Sequence, residues 1–316
     1  MSPAANVPRS GVWCPAVTFF DPSTGAIDFD SQKKYFKYLS TTGLAGLVVL
    51  GSNAEAFLLT REERRNLIVA AREAVGPDFP LICGVSGFSV TQTLEYIQDA
   101  ISAGATYGLL LPAAYYGGAT TKEVVKGYYD EVAQKSDLPL VIYNFPGICN
   151  GVDLDSDTIA AIAKSNPGKI VGVKLTCGSV AKITRLTGQL SPDQFATFGG
   201  QSDFLIGGLA VGSQGCVAAF SNVFPKTISK IYQLYTSGKV EEALTLHRKA
   251  ALAESPVKAG IGSTKYAVSQ YSAVAAGISS PESKLAPRKP YLPVGDAVKT
   301  NVANVMAELA EIEGSL

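Results

Sequence analysis

Short apolar runs alternate with longer amphipathic stretches along this chain, and few architectures accept that rhythm. The runs fall at 13–18, 46–50, 80–85, 108–111, 139–143, 170–175, 195–198 and 215–219. Most are continuously apolar, the pattern of strands covered on both faces, as in a parallel sheet with helices outside it. Helix starts stand between them. Asp28 opens one, and Thr60/Glu63, Ser89/Gln92 and Thr120/Glu123 have the spacing of capping boxes, which satisfy free amides of a first turn. Eight such repeats in roughly 225 residues predict an α/β fold of the (β/α)8 TIM-barrel type. A doubly wound open sheet competes, but it would place a glycine-rich loop after the first strand. Pro15-Ala16-Val17-Thr18-Phe19-Phe20 is not one.

Strand-like runs stop near residue 239. Segments 239–254, 257–277 and 295–313 carry helical periodicity, and a Pro/Ser/Lys-rich stretch at 279–293 separates the last two. The expected organisation is a barrel domain over 1–238 and a helical extension over 239–316 packed on it.

Composition removes several function classes. Lys plus Arg and Asp plus Glu number 27 each, so no net charge steers the chain toward nucleic acid or an anionic membrane. No basic stripe with interleaved aromatics is present, and no apolar run approaches the length of a membrane span. The five cysteines form no CxxC pair. Cys14, Cys83 and Cys216 fall in strand-like runs and read as buried thiols, whereas Cys149 and Cys177 lie on loops near the candidate site. An odd count suits a reducing compartment. The first twelve residues hold one arginine and no apolar core, so the sequence-based expectation is a cytoplasmic protein without signal or transit peptide.

In a barrel of this kind, function sits where strands end and βα loops begin. Lys174 closes the run Lys169-Ile170-Val171-Gly172-Val173-Lys174-Leu175. Burial penalises an ammonium group, and a free amine at a strand mouth can attack a ketone to form a Schiff base. Strict alternation would place Ile170, Gly172 and Lys174 on one face, with Gly172 leaving open space beneath the lysine. A lysine snorkelling to solvent, or tied to a carboxylate, explains the residue equally well at this stage. Tyr143 ends the preceding strand, where a phenol could move the protons of carbinolamine chemistry or simply cap the core. Gly51, Ser52 and Asn53 follow the second strand and offer a cradle for a carboxylate, or ordinary turn chemistry. Thr176, Gly200 and Val217, at the ends of later strands, are expected to complete a substrate pocket. Tyr115 and Tyr116 follow the fourth strand.

Absences point the same way. His247 is the only histidine and falls in the helical tail, so neither a zinc site nor a Ser-His-Asp triad can be assembled. No phosphate loop or dinucleotide fingerprint is visible. The expectation is therefore no metal and no cofactor, with any carbonyl chemistry resting on Lys174. Two readings of other kinds stay open: a non-catalytic metabolite-binding barrel, and a phosphate-binding isomerase using residues 199–202.

Three motifs in order resemble those of the dihydrodipicolinate synthase / N-acetylneuraminate lyase family of class I aldolases. They are Gly51-Ser52-Asn53-Ala54-Glu55 (G-[ST]-x-G-E), Tyr143-Asn144-Phe145-Pro146 (Y-N-x-P) and Gly172-Val173-Lys174 (G-x-K), and the similarity runs from about residue 11 to residue 270. It implies that Lys174 binds pyruvate as a Schiff base, that Tyr143 relays protons, and that Ser52 and Asn53 hold the pyruvate carboxylate and join the relay. It also implies a homo-oligomer, dimer or tetramer, in which Tyr115 or Tyr116 reaches a neighbouring site. Two positions depart from the pattern. Ala54 stands where the family has glycine. The run Pro146-Gly147-Ile148-Cys149-Asn150-Gly151 lacks the arginine with which synthases of the lysine pathway bind their aldehyde's carboxylate. The pattern at 51–60 is most like eukaryotic 4-hydroxy-2-oxoglutarate aldolases, with 2-keto-3-deoxy-sugar-acid aldolases close behind and dihydrodipicolinate synthesis less favoured.

Overall fold

The computed structural model describes residues 6–316. Eight strands follow in chain order: β1 Gly11–Pro15, β2 Gly46–Val49, β3 Leu81–Gly84, β4 Tyr107–Leu110, β5 Leu140–Asn144, β6 Ile170–Leu175, β7 Ala196–Gly199 and β8 Gly215–Val217. They form a closed barrel in the order β1 to β8. The ladder β1–β2 and those from β3 through β8 are parallel. The expected (β/α)8 barrel is therefore the fold of the chain. Every strand residue is buried, as continuous apolar runs require when helices cover the outer face.

The helices are α1 Phe29–Ser40, α2 Arg61–Val75, α3 Val90–Ser102, α4 Lys122–Lys135, α5 Ser156–Ser165, α6 Val180–Thr187 and α7 Leu205–Ala210. After the last strand come α8 Pro225–Thr236, α9 Val240–Glu254, α10 Ile261–Gln270, α11 Ser272–Ala275, α12 Pro281–Lys284 and α13 Asp296–Ser315. The chain packs as two compact units. One comprises Leu81–Val217 with the stretch ending at Gly11, and the other Val12–Pro80 with Ala218–Leu316.

Local chemistry explains most of the helix starts. Asp28 accepts the Ser31 amide at 3.0 Å, and Thr60 and Glu63 cap α2 reciprocally, at 3.2 and 2.9 Å. At α3 the box is offset. Ser89 accepts the Gln92 amide, but the Gln92 side chain reaches back to the amide of Phe88 rather than of Ser89. At α4 the expected cap Thr120 is replaced by Thr121, which accepts the Val124 amide, because the Thr120 hydroxyl donates to the Ala113 carbonyl. The single helix expected over 257–277 is broken into a 3₁₀ turn at Ser255–Ala259, then α10 and α11. Gly260, at φ 122°, and Tyr271, at φ −119° and ψ −84°, interrupt the helical path.

Strand β6 departs from simple alternation. Leu140 pairs with Ile170 but Val141 pairs with Gly172, so Val171 is an extra residue and the two-residue period breaks between Ile170 and Gly172. Nor does Gly172 leave open space. A Cβ there would lie 2.7 Å from the Ala196 carbonyl oxygen, so the glycine exists to let β7 approach. Backbone cannot yield as a flexible side chain can. Gly172→Ala is expected to cost about 2 kcal/mol or more in stability, read by thermal or urea unfolding. An unfolding midpoint equal to that of the unaltered protein would refute the close-approach reading.

Candidate active site

The β5–β6 register sets Tyr143 directly beside Lys174. The Lys174 amine donates to the Tyr143 hydroxyl at 3.1 Å and stands 4.2 Å from the centre of the same ring. Both side chains are buried, each 3% exposed. That burial excludes a lysine snorkelling to solvent. Three buried lysines occur among the described residues: Lys174, Lys182 and Lys265. Lys182 donates to Asp153 at 2.5 Å and Lys265 to Glu55 at 2.6 Å. Lys174 alone has no carboxylate partner. Its amine is thus held by a phenol and not by an ion pair.

The floor around this pair comes from neighbouring strand ends. Phe145 packs against the Tyr143 ring at 5.8 Å between centres. The Thr176 amide donates to the Asn144 carbonyl at 2.9 Å, and the Gly200 amide to the Leu175 carbonyl at 2.8 Å. A Cβ on Gly200 would lie 2.4 Å from the Thr176 hydroxyl oxygen, so only glycine lets the two loops meet. That hydroxyl is buried with no hydrogen-bond partner. Val217 ends β8, fully inside. Lys174, Tyr143, Thr176 and Gly200 thus form one cluster.

The remaining candidates are disposed differently. Tyr115 and Tyr116, on the loop after β4, are 67% and 80% exposed and stack edge to face at 5.2 Å. Tyr115 also meets Phe88 at 5.6 Å. Gly51 precedes a 3₁₀ turn at Ser52–Ala54 in the other unit, with Ser52 and Asn53 half-buried. Ala54, buried, has a negative φ and lies within that turn, so the family's glycine is not needed there for backbone conformation.

Two residues to which sequence reasoning assigned no role hold the loop after β5. Buried Asn144 donates to Asp153 at 2.7 Å while its carbonyl oxygen accepts the Leu154 amide at 2.9 Å, and Lys182 grips the same carboxylate. Asn150, in the left-handed region at φ 49°, donates to the carbonyls of Ala114 and Tyr115 at 2.8 and 3.0 Å. Asn144 sits inside the Y-N-x-P motif, which was the available signal. Asn150 had none beyond asparagine's tolerance of that conformation. Cys149 is unsuited to reaction, since burial pushes its thiol up to about 11. No cluster of metal-binding side chains exists among the described residues.

A family model for the dihydrodipicolinate synthetase family matches residues 8–309. The chain belongs to that family. A provisionally named mitochondrial 4-hydroxy-2-oxoglutarate aldolase of Coccidioides immitis is 63% identical over 98% of this chain and 99% of its own. An L-threo-3-deoxy-hexylosonate aldolase of Hypocrea jecorina is 37% identical, with 83% of this chain and 86% of the relative covered. A crystal structure of a dihydrodipicolinate synthase family protein from Coccidioides immitis superposes with a TM-score of 0.93 at 60% identity, covering both chains entirely. The expected class, a Schiff-base aldolase, agrees with the family and with these names. The expected cytoplasmic location does not. Relatives carry a mitochondrial designation. The expectation rested on the make-up of the first twelve residues, on reduced thiols and on the lack of a long apolar span, and the last two do not separate the cytosol from the mitochondrial interior.

Proposed function

We propose that this aldolase cleaves a 4-hydroxy-2-oxo acid through a Schiff base on Lys174, with 4-hydroxy-2-oxoglutarate as the first substrate to test. The observation that carries the reading is the buried Lys174 amine, free of any carboxylate and hydrogen-bonded to Tyr143. The amine adds to the C2 ketone, and loss of water from the carbinolamine gives an iminium ion. Tyr143, within reach of the nitrogen, delivers and removes the protons of both steps. The iminium ion is the electron sink. Deprotonation of the C4 hydroxyl breaks the C3–C4 bond, releases an aldehyde and leaves an enamine on the lysine. Protonation at C3 and hydrolysis then free pyruvate and regenerate the amine. Ser52 and Asn53 are assigned to the carboxylate next to the ketone, with Gly51 beside them. Thr176, Gly200 and Val217 are assigned to the remainder of the substrate.

A 2-keto-3-deoxy sugar acid is the second reading, favoured by the unpartnered Thr176 hydroxyl, which suits a polyhydroxylated chain. The condensation of the lysine pathway is disfavoured because the loop 145–152 carries no cation for a second carboxylate. No external cofactor enters the scheme. The partners proposed are the small-molecule substrates and further copies of the chain, with Tyr115 or Tyr116 reaching a neighbour. A mitochondrial location is proposed from the relatives. The expected result is pyruvate release from 4-hydroxy-2-oxoglutarate at a kcat/KM at least about tenfold above those for 2-keto-3-deoxy sugar acids and N-acetylneuraminate. Preference for a sugar acid would move the assignment to the second reading, and release from none would favour a metabolite-binding barrel.

A further inference from the structure

The Ser52–Ala54 turn is closed by a residue in an unusual conformation. Glu55 lies in the left-handed region at φ 56° and ψ 36°, and its amide donates to the Ser52 carbonyl at 3.0 Å. A non-glycine residue there is strained and persists only when its surroundings fix it. Those surroundings are a buried charge cluster. The Glu55 carboxylate accepts Lys265, from α10, on one oxygen at 2.6 Å and the Arg288 amide on the other at 2.7 Å. The side chains of Lys265 and Glu55 are 0% and 3% exposed. Lys265 also donates to the Ala286 carbonyl at 3.2 Å and stands 4.4 Å from the centre of the Phe20 ring.

The same loop and the first turn of α2 are held at three further points. The Thr18 hydroxyl donates to the Ala54 carbonyl at 2.8 Å. The Arg288 guanidinium forks onto Glu63 at 2.7 and 2.6 Å and donates to the Leu58 carbonyl at 3.2 Å. Desolvation pulls the Lys265 amine down to about 8, against the upward pull of Glu55, so burying this pair is costly for the fold. Apolar residues of similar volume would often stabilise a core as well or better. What an apolar pair could not supply is a directed grip on one oxygen from α10 and on the other from the 286–288 segment.

We propose that Glu55 and Lys265, braced by Arg288, are positioning residues that set the Ser52–Asn53 turn for the substrate carboxylate. The inference rests on the reading of Ser52 and Asn53 as the residues that hold that carboxylate.

Borohydride trapping of pyruvate, measured against pyruvate concentration well below each variant's unfolding temperature, tests it. Glu55→Gln removes the charge at constant shape. The double variant Glu55→Gln/Lys265→Met leaves no unpaired buried charge and keeps the test available if the single variant folds poorly. Both are expected to raise the half-saturating pyruvate concentration about tenfold while leaving the extent of labelling at saturation unchanged. A double variant with a lowered unfolding temperature and an unaltered half-saturation would overturn the proposal and leave the cluster a purely structural one. Ser52→Ala separates the two readings. If it leaves half-saturation unaltered, the carboxylate assignment fails and this inference falls with it. If Ser52→Ala raises half-saturation and the Glu55 variants do not, the positioning role alone is refuted.

Discussion

Lys174→Met is expected to lower pyruvate release by a factor on the order of 10⁵ or more, leaving no catalysis through an enamine. The reasoning is chemical. Methionine keeps the length and apolar character of the stem but has no amine, so neither carbinolamine nor iminium can form. The fold should survive, because the lost contacts are the hydrogen bond to Tyr143, worth about 1 kcal/mol, and the approach of the amine to the same ring. Reduction with borohydride in the presence of pyruvate should attach a pyruvate-derived group to the unaltered protein, with water lost on imine formation and two hydrogens gained on reduction. Peptide mapping should place it on Lys174 and find nothing in the variant. Lys182 and Lys265 are the other buried lysines that could be confused with it, and each is committed to a carboxylate. Label on either of these, or a Lys174→Met variant within tenfold of the unaltered rate, would sink the assignment.

The barrel was legible because most of its strands are compact apolar runs bounded by turn residues, as a parallel sheet buried on both faces requires. β6 shows where such reading stops. Its limits at 170–175 are visible in hydropathy, but the extra residue at Val171 is a property of pairing with β5, and the reason for Gly172 lies in the Ala196 carbonyl on β7. Neither partner is near in sequence. The capping signals divide similarly. Thr60/Glu63 needs only its own turn, whereas at α4 the Thr120 hydroxyl donates to the Ala113 carbonyl in the preceding loop and Thr121 caps the helix instead. At the site, residue types gave Lys174 and Tyr143, and the register joined them. What could not be read was which buried lysine lacks a carboxylate, since Asp153 and Glu55 are found by Lys182 and Lys265 only through the fold. Composition also could not distinguish two reducing compartments, and the location expected from it and from the first twelve residues was corrected by the relatives.

Tyr143→Phe is expected to reduce turnover by about 10²–10⁴-fold, the range for losing one positioned proton-transfer group. Phenylalanine preserves the packing against Phe145 and the ring face beside the Lys174 amine, so the variant removes one oxygen and little else. That separates two roles the wild-type geometry combines. If the tyrosine were only an amphipathic cap, losing its hydroxyl would change stability by about 1 kcal/mol and leave the rate nearly intact. If it moves protons, kcat falls while the amine can still be trapped, because Lys174 retains its burial and forms the imine slowly with protons supplied by water. Slow but complete borohydride labelling of Lys174, together with a large loss of kcat and a nearly unchanged unfolding temperature, is the expected combination. A turnover within about threefold of the unaltered enzyme would assign the proton relay to another group. Complete loss of labelling would instead show that the phenol is needed to hold the amine in place, making it a positioning residue for Lys174 rather than a partner in proton transfer.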